Sequence, residues 1–322
     1  WNLGYPSKLV FDETYYVKDA WTLWNTGAER AWPTDANAAF ESGHVNGYLA
    51  DPSFVVHPPL GKWLIGLGMW LFGADNSFSW RITTAVLGIA AVALLMIIAK
   101  HIFKSKTWAI TAGLLFAIDG HAIVLSRTAL LDNILMFFVL LAFYFMLRHI
   151  ATRDIGRVTW MQPWLLAMAV ALGAATAVKW SGLYFAAAFS IFIVLSDIRF
   201  RKEIDQPKWL AAGLAQAVVN FILIVPILVT TYIASWSGWI TTDTGYGPIG
   251  WHERLTLALP RLTRAYGGEP HWLLLDPTLR VIFSAPIEDG AAVLDRVATL
   301  PPPPPPPPPV YAEPPRAHRP SR

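Results

Sequence analysis

No cysteine occurs in the 322 residues, which excludes disulfides, thiolate metal sites and cysteine nucleophiles. Charge is scarce too. Asp, Glu, Lys and Arg make up 15% of the chain against 54% apolar residues, too little to solvate an ordinary globular surface. Soluble-enzyme signatures are missing: no P-loop, no Rossmann glycine pattern, no His-x-x-x-His pair and no Gly-x-Ser-x-Gly elbow. Neither a metal site nor a resident cofactor is therefore expected, although a divalent-cation requirement is left open. The basic residues form short clusters between apolar runs, so no nucleic-acid partner is expected.

What fills the chain instead is membrane-grade sequence. Apolar runs at 82–99, 108–125, 130–147, 163–178, 183–195 and 209–236 read as six transmembrane helices, the last kinked at Pro226 and the second interrupted at Asp119. Ahead of them, residues 60–72 are too few to span hydrocarbon. They suit an interfacial helix, started by Pro58 and Pro59 and anchored by Trp63 and Trp70. Lysine and arginine cluster in alternate connections. Lys100, Lys104 and Lys106, then Arg148, Arg153 and Arg157, then Arg199, Arg201, Lys202 and Lys208 mark three cytoplasmic loops by the positive-inside rule. The segment before the first span, the Arg127 connection, the Lys179 turn and the stretch after Trp236 then face outward.

This divides the chain into a membrane domain at 1–246 and a different region at 247–322. Within the first, residues 1–81 form an extracytoplasmic loop with its interfacial helix, and 82–236 hold the six helices. Seventeen of the 25 prolines lie after residue 247, nine of them consecutive, and no lysine follows Lys208. That region reads as a disordered or non-native tail.

Ionisable residues at the ends of membrane helices are costly unless they meet water, a partner or a ligand. Asp12, Glu13, His57, Lys62, Arg81, Asp119, His121, Arg127, Asp132 and Lys179 all map to the outward end. Acids and cations gathered at one surface fit an anionic lipid head group beside a general base. Each residue also has a plainer reading. Lys62 and Arg81 could snorkel to head groups, and Arg127 with Asp132 could be a structural ion pair. Lys179 could anchor a helix end, His57 could cap the interfacial helix, and Asp12 with Glu13 could be solvated loop charges. A transporter using Asp12 and Asp119 as ion sites is the alternative from another class. It calls for charges near the bilayer midplane and inverted repeats, which the sequence does not show.

Four blocks then carry a resemblance, in order along residues 1–246. They are Phe11-Asp12-Glu13-Thr14-Tyr15-Tyr16, Val56-His57-Pro58-Pro59-Leu60-Gly61-Lys62, Ser126-Arg127-Thr128-Ala129-Leu130-Leu131-Asp132 and Val178-Lys179-Trp180-Ser181-Gly182-Leu183. Together they resemble the protein O-mannosyltransferases, the actinobacterial branch above all. The resemblance implies an all-α polytopic membrane protein with a GT-C-type transmembrane bundle in the bacterial plasma membrane, its active site extracytoplasmic. It implies transfer of mannose from polyprenyl-phosphate mannose to Ser/Thr hydroxyls of secreted or membrane proteins, met as they leave the secretion machinery. A related transferase acting on a glycan or lipid acceptor is the alternative. By the same resemblance Asp12 is the catalytic base, Glu13 organises the site, and Arg81 and Lys179 hold the donor phosphate. His57, Lys62, Arg127 and Asp132 are supporting candidates. The family also has a helix ahead of this chain's start and further helices after its bundle, so a fragment is expected.

Overall fold

The computed structural model describes residues 2–154 and 157–242, together with the backbone of 271–275 and 281–286. The chain divides into two compact units, Trp1–Gly250 and Trp251–Arg322.

Among the described residues of the first unit every regular element is a helix. Asp12 stands at the N-cap of α1 (Glu13–Thr26), which ends on Gly27 in the left-handed conformation that glycine adopts freely. A short α2 (Ala36–Glu41) follows, then α3 (Leu60–Phe72) opening behind Pro59. The bundle consists of α4 (Ser77–Phe103), α5 (Lys106–Ile118), α6 (Gly120–Ser126), α7 (Leu131–Thr152), α8 (Pro163–Val178), α9 (Gly182–Glu203) and α10 (Trp209–Ser235), with α11 (Ser237–Thr241) after it. Four of these, α4, α7, α9 and α10, are long and apolar enough to cross a membrane. Their outer faces leave Ile89, Leu195 and Phe221 more than half exposed, as lipid-facing side chains are.

Two of the six expected spans differ from straight membrane helices. The run at 108–125 is a pair, α5 and α6, bent by 67° where Asp119 stops one helix and caps the next through the Ala122 N–H at 2.7 Å. The run at 163–178 gives a helix of 16 residues, shorter than an ordinary span. α8 instead occupies the middle of the bundle, with all but a few of its residues buried. Its small residues explain that position. A Cβ on Gly173 would lie 2.8 Å from the Leu228 carbonyl oxygen, so α10 approaches backbone to backbone. In lipid, where no hydrophobic force draws helices together, such close packing is what associates them. Pro226, the expected kink, lies inside α10 without dividing it.

Contacts fix which helix ends lie together. Asn133 near the start of α7 donates to the Thr84 carbonyl of α4 at 2.8 Å, and Lys179 after α8 reaches Asp132 of α7 at 2.8 Å. Trp63 of α3 donates to the Ser235 carbonyl at the end of α10 at 3.0 Å. All of these lie at the end of the bundle that carries residues 2–76, here the loop end. At the other end Arg153 pairs with Asp197 at 2.6 Å, and Arg201 donates to the Arg157 carbonyl at 3.3 Å. The ten clustered basic residues therefore gather at one end, the basic end, and the acidic segment at the other.

The acidic segment is not a loop throughout. α1 and α3 lie across the loop end and bury a core of Val17, Phe40, Ile65, Met69, Trp80, Leu131 and Val178. Gly68 is what lets α3 settle there, since a Cβ would come within 2.3 Å of the Ser79 carbonyl oxygen of α4. In the second unit the described residues form an antiparallel hairpin, β1 (His271–Leu275) with β2 (Val281–Pro286), bulged at Leu274/Leu275. Apart from these two strands, the reading of 247–322 as a disordered or non-native tail lies outside the described residues.

Candidate active site

The adjacent acids Asp12 and Glu13 have opposite fates. Glu13 is fully buried, and its carboxylate accepts four hydrogen bonds. Arg81 donates Nε to Oε1 and Nη2 to Oε2, both at 2.7 Å, while the backbone N–H groups of Ala129 and Val10 complete the set at 2.8 and 3.0 Å. Arg81 is buried as well, and its remaining N–H groups donate to the carbonyls of Leu3, Pro6 and Lys8 at 2.8–3.0 Å. A two-point guanidinium–carboxylate fork of this kind sets orientation as well as distance. It ties the N-terminal segment, the first turn of α4 and the entry to α7 into one frame. A phosphate reaching Arg81 would have to displace a protein oxygen. All the donors of this residue, expected as a phosphate ligand, are engaged in these protein contacts.

Asp12 lies one residue earlier, half-buried at the head of α1. The preceding Phe11 has φ 52°, a left-handed conformation costly for an aromatic residue, and its ring is 78% exposed. Its carbonyl is held by Thr14 through both the backbone N–H and Oγ1. One helical turn beyond Asp12 lies Tyr16. Burial first, then the charge of Asp12, pushes its phenol up to about 12, so it stays protonated. The Tyr16 ring packs on His57 with centroids 6.0 Å apart.

His57 leads into α3, whose first turn presses against the ends of α7 and α8. A Cβ on Gly61 would meet Leu131 at 2.5 Å and Val178 at 3.2 Å. That contact carries His57 towards Lys179 and Asp132. Burial lowers the His57 pKa, and the charges of Lys179 and Lys62 lower it further. The imidazole is therefore neutral at neutral pH. Lys179 and Asp132 form an ion pair at 2.8 Å, with 25% and 48% of their side chains exposed. Asp12, His57, Asp132 and Lys179 thus form one open group at the loop end, backed by the buried Tyr16 ring.

Lys62 belongs to a second closed cluster. It is buried between Asp19 at 3.0 Å and Glu29 at 2.9 Å, and Glu29 also accepts from Trp239 Nε1 at 2.6 Å. Burial alone would lower the Lys62 pKa, but the two carboxylates raise it overall; burial raises that of Asp19. Lys62 therefore stays charged. It neither snorkels nor faces the entrance. Asp19 and Glu29 were missed in the sequence. The signal for Asp19 was spacing, because Asp12, Tyr16 and Asp19 recur at helical intervals on one face. Arg127 and Asp132 are not partners: Arg127 donates to the Asn2 carbonyl at 3.3 Å, while Asp132 takes Lys179. Asp119 is a helix cap and His121 is exposed. Among the described residues no group of three or more His, Asp or Glu is arranged to hold a metal ion.

The family model described as dolichyl-phosphate-mannose-protein mannosyltransferase matches residues 74–241, just over half of the chain. The chain belongs to this family. A polyprenol-phosphate-mannose–protein mannosyltransferase of Mycolicibacterium smegmatis is 36% identical over 76% of this chain and 48% of its own length. Its counterpart in Corynebacterium glutamicum is 33% identical over 73% of this chain and 46% of its own. Protein O-mannosyl-transferase 1 of mouse is 29% identical over 57% and 24%. The chain thus spans about half the length of the bacterial relatives it matches. A crystal structure of ArnT from Cupriavidus metallidurans bound to undecaprenyl phosphate is similar with a TM-score of 0.47 and 19% identity, covering 84% of this chain and 49% of that one. Family and apolar helices together make this mannosyltransferase-family chain a multi-pass membrane protein.

Proposed function

We propose that this chain carries the donor and catalytic site of a GT-C-type enzyme that transfers mannose from polyprenyl-phosphate mannose to Ser/Thr hydroxyls of secreted or membrane proteins. The loop end would face the extracytoplasmic side of the plasma membrane. The observation that carries this reading is the split of the acidic doublet. Glu13 is locked against Arg81, while Asp12, the adjacent residue, shares with Lys179 and Asp132 the surroundings of His57.

In this reading Asp12 takes the proton of the acceptor hydroxyl as its oxygen attacks the anomeric carbon of mannose. The bond from that carbon to the phosphate oxygen breaks, and the phosphate leaves with the electron pair. Polyprenyl phosphate is the product, and its added charge needs a fixed cation. Lys179 supplies it, because an ammonium has three donors and Asp132 takes one. Neutral His57 offers a hydrogen bond without a second charge. Tyr16 positions Asp12. No step requires a metal.

The test is mannose transfer from polyprenyl-phosphate mannose to a Ser/Thr peptide, in membranes of cells expressing the gene. Transfer to a lipid or glycan acceptor with none to peptide would overturn the acceptor assignment. Sidedness is tested separately, since the protein has no native cysteine. A cysteine at Asn37 should react with an impermeant thiol reagent in intact cells, and one at Ser105 only after permeabilisation. The reverse pattern would overturn the orientation.

A further inference from the structure

The basic end holds a feature that mannose transfer at the loop end does not use. Between the ends of α7, α8, α9 and α10 lies a cavity of about 270 Å³. Its inner wall carries buried Arg201 and half-buried Arg153 around the single buried carboxylate of Asp197. Arg153 binds Asp197 at 2.6 Å and Ser196 Oγ at 3.0 Å, yet its Nε is buried without a partner. His149, 3% exposed, lines the same space with Nε2 also unpartnered. Nearer the mouth Arg157 pairs with Asp154 at 3.0 Å and adds no net charge. Two buried nitrogens of the lining, Arg153 Nε and His149 Nε2, are thus left without a protein acceptor, and an anion with several acceptor oxygens would satisfy both.

What the anion is attached to follows from the neighbouring surface. A groove of about 250 Å³, lined chiefly by Ile191, Val194, Phe221, Ile224 and Val225, runs between α9 and α10. Groove and cavity are neighbours, one helical turn apart along both helices. On α9 Ile193 lines the groove and Asp197, one turn on, lines the cavity; on α10 Asn220 and Gln216 do the same. Asn220 accepts from both Gln162 and Gln216 of the cavity wall, at 3.0 and 2.9 Å. A polar, cationic chamber one helical turn from an apolar channel on a membrane-facing surface matches the chemistry of a phospholipid. We propose that this end of the bundle binds an anionic phospholipid, its phosphate against Arg153 and His149 and one acyl chain along the α9–α10 groove. Basic pockets between membrane helices take lipid phosphates in this way. The site is independent of the mannosyl-transfer reading.

The test is native mass spectrometry of the full chain, delipidated and then given phosphatidylglycerol or diacylglycerol, which lacks the phosphate. Phosphatidylglycerol should be retained at least about tenfold better, the loss expected for one buried charge-assisted contact. Arg153→Gln should abolish that preference. If this variant does not fold, Met161→Trp serves, because Met161 lines the cavity with 80% of its surface exposed and its replacement leaves the charges intact. Ala217→Trp should weaken long-chain phosphatidylglycerol while sparing a short-chain analogue. Equal retention of the two lipids, or unchanged preference in the folded variants, overturns the proposal. Displacement of phosphatidylglycerol by millimolar inorganic phosphate also overturns it, since that would mark a site for a soluble anion.

Discussion

Two carboxylate–cation pairs lie at the loop end, and they differ in every respect that matters. Glu13 and Arg81 are both fully buried, joined at two points, and satisfied by backbone groups on every remaining side. Asp132 and Lys179 are joined once and stand partly in solvent. The first pair has nothing left to offer a ligand. The second has spare donors and acceptors beside Asp12, Tyr16 and His57. In the proposed function closed pairs build the site and open ones do its chemistry. Lys62 with Asp19 and Glu29 belongs with the closed kind.

That contrast breaks most sharply at the acidic doublet. Asp12→Asn should cut mannose transfer by about 10²–10⁴-fold, the usual cost of losing a general base, with thermal stability near wild type. Turnover per folded molecule, with a melting curve beside it, is the check. Glu13→Gln should do the converse. Leaving Arg81 buried without its carboxylate costs about 3–5 kcal/mol, so folded protein should fall before the rate per folded molecule does. A variant as stable as wild type would show that the fork is not a frame.

A smaller effect sharpens the open side. Burial and the nearby lysines lower the His57 pKa, so the folded protein binds that proton less readily than the unfolded chain. The stability linked to His57 is therefore fully present above the ordinary imidazole range, near 6.5, and is lost as pH falls through the depressed folded value. His57→Gln should flatten that part of the acid limb of the stability curve. Denaturant midpoints from pH 7 downward measure it, and an unchanged limb would place His57 outside the group.

Much of the scaffold was legible in the sequence because lipid imposes so simple a rule. Long apolar runs must be helices, and the basic clusters fell at one end of the bundle as their alternation required. The bend at Asp119 was visible only as an interruption, since a polar residue in a run does not give an angle. The 16-residue α8 could be measured, but its central burial depends on partners far along the chain. Site residues followed the same division. The ten outward charges were read as one set, and nothing local separates open from closed. Arg81 lies 68 residues from Glu13 and Lys62 lies 33 from Glu29, so their pairing is a property of the fold. Lys179 taking Asp132 in place of Arg127 was hidden for the same reason. Tyr16 and Asp19, at helical spacing from Asp12, were within reach once 13–26 is taken as a helix.

The division of labour is tested most directly by comparing Lys179→Ala with Arg81→Lys in one experiment. The measurement is the apparent KM for polyprenyl-phosphate mannose, per molecule of folded protein, with a melting temperature for each variant. Lys179→Ala should raise the donor KM by about tenfold or more, as loss of a charge-assisted contact does, and leave the melting temperature unchanged. Arg81→Lys, which keeps the charge but loses the fork, should lower the melting temperature and leave the donor KM where it was. A raised donor KM in Arg81→Lys at wild-type stability, with Lys179→Ala unaffected, would contradict the account.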